Sequence, residues 1–451
     1  MKYKFAIAAC ARWEADTILE WLAYHRLLGF EHVYLYCNDD DPTELYEKLA
    51  PLLVEATPFI TFIHYPFQGM QARMYKHFLR TFVHEAEWFM LLDIDEFLVL
   101  KHASDVAEFM RLHEFWCDAL YFNWVFFGHN GFEERPAGSV LLRYTRRDLQ
   151  VNHFTKMMTR TGSLDIERII AESEAGFWHD WGDDVGRALR RMNVIGDGMV
   201  GYYEDFPNRA REYLDVGDRQ QRILNTAAIY HFAFRSAGDI RRRIERGTAG
   251  DFHGQLAFKA VEDEGGLDGF LAQFAQVEDT FLRDRWRGFL DGGWRSSLLG
   301  RPPGIHLSLG RTALQSSISA WSREATPAGD ASRVVSGRFS GSYNCHTDVE
   351  DGPWWRVDLG GFCRIAQVRI FNRIDAPLIM ERASRFALEI SDDDSEWAMV
   401  FEKADDTIFG GIDGEPFIWS SERPVTARFV RIRLLGRTCL HLDQVEVYGE
   451  R

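Results

Sequence analysis

Two aspartates, Asp93 and Asp95, follow the apolar run 89–92. Successive side chains of an extended segment point to opposite faces, so both carboxylates point the same way at the carboxyl end of a buried strand. A pair of hard oxygen ligands suits one divalent cation, which usually takes water and phosphate oxygens as its other ligands. The pair therefore predicts a nucleotide-diphosphate site. The alternative is an acidic turn that only closes the strand, because short motifs often match by chance.

The elements that must position this pair alternate between strands and helices. A strand at 4–10 precedes a helix that begins with the capping-box pattern of Thr17 and Glu20 and ends at Gly29. Such alternation indicates an α/β protein with a Rossmann-like, doubly wound parallel sheet and right-handed crossovers. The pattern continues with strands at 32–36, 59–64 and 88–92, a helix at 70–86 and a later strand at 228–232.

A second polar cluster supports the site. Asn38 and Asp39 follow the strand at 32–36, and ligands of doubly wound sheets bind beyond the carboxyl ends of the strands. Both clusters are therefore expected at one edge of the sheet. No GxGxxG follows the first strand, which disfavours a dinucleotide-dependent dehydrogenase.

Composition excludes other classes. The 451 residues fit two or three domains, and a net charge of -16 argues against a nucleic-acid partner, which would need a basic face. The basic stretch 241–243, together with Arg246, is the local exception, either a solvated helix face or a contact for phosphate or a membrane surface. No membrane span is expected. The expected location is cytoplasmic, with peripheral association at the inner face of the membrane as the alternative.

The rest of the chain divides into three parts. Residues 163–225 are rich in aromatic and acidic side chains, which suits either sugar stacking, as an acceptor-binding lid, or core packing. Residues 291–304 read as a linker, and 305–451 alternate apolar and polar residues between turns, as in an all-β jelly-roll sandwich. The six cysteines lack CxxC spacing, so mostly free thiols are expected.

Short blocks in residues 1–290 carry a family resemblance. Their content and order resemble the bacterial family-2-like glycosyltransferases of GT-A fold, close to the group that includes the family 92 enzymes. Trp13 stands where that family commonly has Asn. The blocks are 12–16, 20–25, 36–40, 71–80, 92–97, 123–128, Lys156, 230–232, 235–236 and 246–247.

This resemblance implies transfer of a sugar from a nucleotide-sugar donor, a UDP- or GDP-sugar, to a glycan acceptor. Asp93 and Asp95 would hold Mn²⁺ or Mg²⁺ on the diphosphate, and His231 would supply a further metal or phosphate contact. Such enzymes generally invert the anomeric centre and need a general base on the acceptor hydroxyl. The residues implied at the donor are Arg12, Glu14, Asn38, Asp39, Arg73, Asp93 and Lys156, and the candidate bases are Glu96, His129, Asp180 and Asp251.

Residues 305–451 carry a second resemblance. His346 is followed by 26 residues and then by Arg373-Ile374-Asp375. This spacing resembles the fucose motif of the F-type lectins, within the discoidin-like β-sandwiches. The motif ends on a basic residue, and the next basic residue here, Arg382, comes two positions later than the motif places it. The resemblance implies a cluster of donors for sugar hydroxyls. Residues 336–340 lack the acidic residues of that family's calcium loop, so no calcium is expected there.

Three functions compete. The first is a metal-dependent glycosyltransferase whose lectin-like domain retains the acceptor by tethering. The second is a carbohydrate-binding protein with an inert α/β domain. The third is a nucleotidyltransferase, which would release pyrophosphate. A structural or docking role for 305–451 is the alternative to sugar binding.

Overall fold

The computed structural model divides the chain into two compact units. The first comprises Met1–Arg135 and Val140–Trp286, and the second comprises Arg287–Arg451 together with Pro136–Ser139. The predicted linker lies largely outside the described residues. Those are 1–53, 57–136, 138–173, 176–182, 189–245, 255–264, 266–291, 302–412 and 415–451.

Strands form the centre of the first unit. They are β1 (Tyr3–Ala11), β2 (His32–Cys37), β3 (Ile60–His64), β4 (Ala86–Asp93), β5 (Glu96–Leu100), β6 (Ala119–Phe126), β7 (Arg146–Arg147), β8 (Thr155–Arg160), β9 (Arg191–Asn193), β10 (Ala227–His231) and β11 (Val277–Glu278). Among the described residues, one sheet has the order β3-β2-β1-β4-β8-β6-β10-β5 with β9 beside β6, and β7 pairs with β11.

Helices cover this sheet and connect its strands. They are α1 (Ile18–Leu27), α2 (Thr43–Leu53), α3 (Gln71–Thr81), α4 (Val106–Met110), α5 (Val140–Arg143), α6 (Ile166–Glu172), α7 (Asn208–Leu214), α8 (Arg219–Thr226), α9 (Ala237–Glu245), α10 (Gln255–Asp263), α11 (Leu267–Ala272) and α12 (Phe281–Asp291). Single 3₁₀ turns lie at Val83–Glu85 and Thr161–Ser163.

The predicted parallel sheet is present only in part. β1 pairs in parallel with β2 and β4, and β2 pairs in parallel with β3, as expected. The prediction is wrong beyond β4, because β8 runs antiparallel to β4 and β6, and β5 runs antiparallel to β10. Antiparallel neighbours need no long helical crossover, so alternation of strands and helices in the sequence could not reveal them.

Helix α1 binds the edge strand that follows the aspartate pair. The Trp21 indole donates to the Glu96 carbonyl at 2.8 Å, and the Tyr24 hydroxyl donates to the Leu98 carbonyl at 2.7 Å. Among the described residues β5 is the last strand of its sheet, so these contacts satisfy carbonyls on its unpaired side and cover the sheet edge. Gly29 follows the helix at φ +98°, which glycine adopts without steric cost.

The predicted capping box is wrong. Thr17 precedes α1 but makes no side-chain cap hydrogen bond. Its hydroxyl instead donates to the Glu14 carboxylate at 2.8 Å. The Glu20 carboxylate accepts from the Val140 amide at 2.8 Å. A neighbouring residue of the preceding loop therefore takes the Thr17 hydroxyl, and a distant backbone amide takes the Glu20 carboxylate, so neither group caps the helix.

Stability of the first unit should depend on His25. The ring is fully buried on α1, with Nδ1 2.9 Å from the Trp21 carbonyl, and burial lowers its pKa from 6.5 to about 3. Below pH 6.5 the unfolded chain takes up a proton that the folded chain refuses, so stability is lost as the pH falls. We expect this site to contribute a loss of about 1.4 kcal/mol per pH unit between about pH 6 and 4.

Urea unfolding of the full chain and of His25→Gln over this pH range checks the expectation. The two proteins differ only in the first unit, so the difference between their curves reports that unit. The variant should show the flatter acid slope, with exposed His84→Gln as the control. Equal slopes in the variant and the parent would contradict the assignment.

The second unit is an antiparallel β-sandwich. Its core packs buried aliphatic side chains around Trp355. Its strands are β12 (Ile305–His306), β13 (Ala313–Gln315), β14 (Cys345–His346), β15 (Glu350–Asp351), β16 (Trp354–Phe371), β17 (Phe386–Ser391), β18 (Ala398–Lys403), β19 (Phe417–Leu434), β20 (Arg437–Thr438), β21 (His441–Leu442) and β22 (Gln444–Glu450), with helices α13 (Pro327–Arg333) and α14 (Pro377–Met380) and a 3₁₀ turn at Glu381–Ala383. The main sheet has the order β12-β22-β16-β19-β17-β18, with β13 beside β16, and β14-β21 and β15-β20 form small sheets.

Two further expectations concern the whole chain. All six cysteines are free thiols, as predicted. Within the described ranges, every helix is too short or too polar to cross a membrane.

Candidate functional site

A cavity of about 220 Å³ opens in the first unit at the carboxyl ends of β1, β2 and β4. In the register of the sheet, Cys10 on β1 lies between Tyr36 on β2 and Asp93 on β4, so the two predicted polar clusters share one edge. The cavity is lined by the predicted residues Arg12, Glu14, Asn38, Asp93, Asp95 and His231, together with Cys10, Tyr65, Phe67, Gly69, Met70, Gln71, Met74, Ile94 and Arg243.

Asp93 is held by donors on two sides. Its Oδ1 accepts from the Gln71 amide at 2.8 Å, and its Oδ2 accepts from the Lys156 ammonium at 2.9 Å. Burial is the largest single effect and opposes ionisation of this carboxyl, but the charge and hydrogen bond of Lys156, together with His231, outweigh it, and the pKa of Asp93 is lowered. Asp93 is therefore a carboxylate at neutral pH.

Asp95 lies in the turn between β4 and β5 and faces two other partners. His231 Nε2 lies 3.3 Å from its Oδ1, and Arg243 Nη2 on α9 lies 2.8 Å from its Oδ2. Burial again opposes ionisation, yet His231 and Arg243 hold the pKa of Asp95 well below its ordinary value. His231 reaches this position because the antiparallel register of β5 and β10 pairs it with Glu96.

Lys156 and Glu96 lie beneath the aspartates and do not face the cavity. Both side chains are fully buried, and Lys156 Nζ lies 3.2 Å from Glu96 Oε2. Burial raises the pKa of Glu96 well above its ordinary value despite Lys156. Burial disfavours the Lys156 ammonium, but Asp93 and Glu96 outweigh it and raise its pKa. The structure thus corrects two predicted roles, since Lys156 is placed to orient Asp93 instead of contacting the donor, and Glu96 is inaccessible to an acceptor hydroxyl.

A network of charges lies beside the cavity next to β1 and includes its lining residues Arg12 and Glu14. Arg235 Nη2 donates to both Glu14 oxygens at 2.9 Å. Arg135 Nη2 lies 2.6 Å from Asp239 Oδ1. Arg12 is buried, and its Nη1 donates to the Asn38 carbonyl at 2.5 Å. These pairings fix the positions of Arg12, Glu14 and Asn38 before any ligand binds.

Trp13 has an unusual backbone conformation beside this network. Its φ is +57°, in the left-handed region that Asn tolerates better than Trp. The Asn that the resembled family commonly has at this position would adopt this conformation more readily. The Trp13 amide donates to Asp39 at 2.8 Å, and its ring stacks 4.6 Å from the Arg12 guanidinium.

Several predicted residues lie outside the cavity. Asp39 binds the Trp13 amide, and Arg73 is exposed on α3 with its guanidinium 5.3 Å from the Phe67 ring. Asp180 accepts from the Tyr121 hydroxyl at 2.5 Å and pairs with Arg191 in the aromatic region. His129 is half-buried and does not line the cavity. Asp251 lies outside the described residues.

The aromatic region 163–225 mainly forms core. Phe177, Trp178 and Trp181 are buried and pack with α3 and β4. Trp181 donates its indole hydrogen to Thr159 at 2.9 Å. Within the described residues of this region, the two tryptophans predicted as possible sugar-stacking surfaces therefore pack in the core instead.

Sequence reasoning missed Gln71 as a site residue and offered Arg243 only within the basic stretch 241–243, for which a phosphate contact was one of the alternatives. Arg243 was included in the basic stretch 241–243, whose solvated-face reading fits Arg241 and Arg242 only. The signal was the spacing from Ile240, a fully buried residue of α9 one helical turn earlier. That spacing places Arg243 on the inward face of the helix.

The predicted three-residue metal set is not preformed. Among the described residues, no three His, Cys, Asp or Glu side chains are arranged to hold a metal ion. The donor chemistry fits a hard divalent cation, because two ionised carboxylates line one cavity. Such an ion would take its other ligands from water and phosphate. His231 contacts Asp95 and is placed to orient it.

A second cavity, of about 460 Å³, lies in the second unit. It brings together all four residues that the sugar-site prediction named: His346, Arg373, Asp375 and Arg382. Arg373 donates to both Asp375 oxygens, at 2.8 and 3.0 Å. Arg382 lies at the cavity even though it is displaced by two positions from the motif, because a turn at Glu381–Ala383 carries it there.

The family comparisons agree with the division into two parts. Residues 5–165 match the model of glycosyltransferase family 92. Residues 316–441 match the model of the F5/8 type C domain. The first match includes Asp93, Asp95 and Lys156, whereas His231 and Arg243 lie beyond it. No curated protein matches the chain.

Among solved structures, the chain is similar to a His 62 mutant of the lectin binding domain of lectinolysin complexed with Lewis b, with 26% identity over 34% of this chain and 100% of that one, at a TM-score of 0.27. A Streptococcus pneumoniae fucose binding module shows 26% identity over 33% of this chain and 96% of its own, at a TM-score of 0.26. A fucolectin from striped bass (Morone saxatilis) serum shows 25% identity over 33% of this chain and 49% of its own, also at 0.26.

Proposed function

We propose that the first unit is a metal-dependent glycosyltransferase of GT-A type that moves a sugar from a nucleotide-sugar donor to a glycan acceptor, with inversion. The observation that carries this proposal is the convergence of Asp93, Asp95 and Arg243 on one cavity, within a unit whose residues 5–165 match glycosyltransferase family 92. The resemblance noted from the sequence supports the GT-A relation and the inverting outcome.

In this proposal Asp93 and Asp95 hold Mn²⁺ or Mg²⁺ against the donor diphosphate. When bound there, such a cation would supply neutralisation of the negative charge on the departing diphosphate. Lys156 and Gln71 keep Asp93 in position, and His231 does the same for Asp95. Each carboxylate is ionised before the donor arrives, so no proton has to leave when the cation binds.

Arg243 supplies the second cationic contact for the diphosphate. Its guanidinium lies at the cavity and is paired with Asp95. Planar guanidinium groups bind phosphate oxygens in a two-pronged manner. Arg12, Glu14 and Asn38 line the cavity near the end of β2 and form the proposed nucleoside side of the site.

The general base for the acceptor stays a prediction. Among the described candidates, Asp180 and Glu96 are committed to buried partners, and His129 does not line the cavity. Asp251 keeps its predicted role, and its test is loss of transfer with retained donor binding in Asp251→Asn.

A thermal-shift panel tests the proposed function. We expect UDP or GDP with Mn²⁺ to raise the melting temperature by about 5 °C or more at a hundredfold excess over Kd. EDTA should remove both this shift and donor turnover, and added Mn²⁺ or Mg²⁺ should restore them. Nucleoside monophosphate serves as the matched control, since it lacks the second phosphate. An EDTA-insensitive shift or turnover would contradict the cation's role.

The products released in the turnover assay separate the competing functions. An inert first unit predicts no release of nucleoside diphosphate from any donor. A nucleotidyltransferase predicts consumption of nucleoside triphosphate with release of pyrophosphate. The glycosyltransferase predicts nucleoside diphosphate as the product.

We also propose that the second unit binds carbohydrate. The supporting observation is the convergence of His346, Arg373, Asp375 and Arg382 on one cavity in the unit that matches the F5/8 type C domain. Because this unit is covalently joined to the first, a bound glycan would have a raised effective concentration for transfer.

A further inference from the structure

The cavity of the second unit carries an excess of positive charge. Three arginines line it, Arg323, Arg373 and Arg382, and Asp375 is the single carboxylate among its described lining residues. Asp375 is fully engaged, since Arg373 donates to both of its oxygens and the Ser342 hydroxyl donates to Oδ2 at 2.7 Å. One carboxylate therefore neutralises one of three guanidinium groups.

Arg323 and Arg382 have no carboxylate partner among the residues that the structure describes. Both side chains are exposed at the cavity. The Arg323 guanidinium lies 4.4 Å from the centre of the Tyr343 ring, and Arg373 lies 4.7 Å from the same ring. Arg382 Nη1 contacts Cys439 Sγ at 3.3 Å. The ring contact of Arg323 and the thiol contact of Arg382 do not neutralise these charges, so both guanidinium groups are available to a ligand.

The neighbouring imidazoles report the same positive environment. Burial lowers the pKa of His346, and Arg373 and Arg382 lower it further. Burial, with Arg373, His346 and Arg382, lowers the pKa of His441 to about 3. A neutral His346 leaves the arginines as the main positive charges at the cavity. In a protein of net charge -16, this concentration of positive charge is local.

We propose that this cavity binds an acidic glycan, whose carboxylate, sulfate or phosphate group lies against Arg323 and Arg382. A neutral sugar would accept hydrogen bonds from these arginines but would leave two positive charges unmatched. Trp321 lines the same cavity and is 69% exposed, so its ring offers a stacking surface for the sugar. The inference rests on the carbohydrate-binding role proposed above and does not depend on sugar transfer.

A glycan array probed with the full chain tests the proposal. The array carries glycans with uronic acid, sialic acid, sulfate or phosphate groups, each beside its neutral counterpart, together with glycans that end in L-fucose. We expect retention on acidic members. Affinity for the tightest of them should fall as NaCl rises from about 50 to 500 mM, because salt screens exposed charges. Comparison of the uronic and sialic acid glycans with the sulfated and phosphorylated glycans on the array shows which acidic group is bound.

Two single substitutions assign the binding to this cavity. Arg323→Gln and Arg382→Gln should each weaken the tightest acidic glycan about tenfold. Arg385→Gln is the matched control, because Arg385 belongs to the same unit with a side chain 52% exposed and does not line the cavity. Unchanged melting temperatures would exclude misfolding of the variants.

Three outcomes would overturn the proposal. They are tightest binding to a neutral glycan, no binding to any acidic glycan, and acidic-glycan binding that survives both substitutions. Release of nucleoside diphosphate is measured separately on the same proteins. A failure of the array therefore leaves the proposed transferase testable, and the reverse also holds.

Discussion

We expect Asp95→Asn to lower the proposed donor turnover by about 10³-fold while the protein stays folded. The substitution keeps the shape of the side chain and removes the charge that faces the cavity between His231 and Arg243. The proposed cation would lose one of its two protein carboxylates. We expect Mn²⁺-dependent UDP or GDP binding to weaken in parallel, measured by thermal shift and by release of nucleoside diphosphate.

Matched variants show that this effect belongs to the cavity. Glu172→Gln also removes one carboxylate, but its side chain is 54% exposed on α6 and pairs with Arg168. That control should retain full turnover. Asp93→Asn should reproduce the loss, since Asp93 lines the same cavity. Full turnover in Asp95→Asn would show that the aspartate pair is only an acidic turn.

We expect Lys156→Met to destabilise the first unit by about 3–5 kcal/mol at pH 8, because it leaves buried acidic groups without their cation. Lys156 is fully buried and contacts both Asp93 and Glu96. Glu96 has no exposed surface, so water cannot replace the ammonium there. Urea unfolding of the variant and the parent measures the loss, and turnover should also fall because Asp93 loses its orientation.

The same variant has a definite pH dependence. Without Lys156 the pKa of Glu96 rises further above that of the unfolded chain, so the folded variant retains a proton that the unfolded chain releases. Lowering the pH toward 5 should therefore narrow the difference in stability between the variant and the parent, which share the acid loss at His25. The double variant Lys156→Met with Glu96→Gln should recover part of the lost stability at pH 8 and should gain less from acidification, because one buried carboxyl can no longer ionise.

Lys4→Met is the control for loss of an ammonium group. The Lys4 side chain is 39% exposed and pairs with Glu114 at 3.4 Å. Such a surface pair contributes about 0–1 kcal/mol. An effect of Lys156→Met no larger than that of Lys4→Met would show that Lys156 is not required to balance Asp93 and Glu96.

Local patterns predicted much of the fold. The strands at 4–10, 32–36, 59–64 and 88–92 are present within two residues of their expected ends. In β1, β2 and β4 consecutive residues are buried on both faces, so an unbroken apolar run marks each strand. The shared edge of the two polar clusters then followed from parallel pairing, which the register confirms.

The same patterns could not show which charges meet. Lys156 and Glu96 lie 60 positions apart, and their contact requires β8 to insert antiparallel beside β4. Asp95 and Arg243 meet only because α9 follows β10 back to the end of β4. The local sequence of β8 or β10 does not show which strands pair with it, since strand pairing is decided by burial over the whole sheet.

The sequence by itself determined the two-part organisation, the parallel half of the first sheet, and the positions of Asp93 and Asp95, because periodicity and strand ends are local properties. Tertiary structure alone decided that Lys156 supports Asp93 from beneath, that Arg243 reaches Asp95, and that Arg323 joins Arg373 and Arg382 around one cavity. The physical reason is the range of the forces. Hydrophobic spacing acts within one element, whereas the ionisation of a buried carboxylate depends on every charge that the fold brings near it.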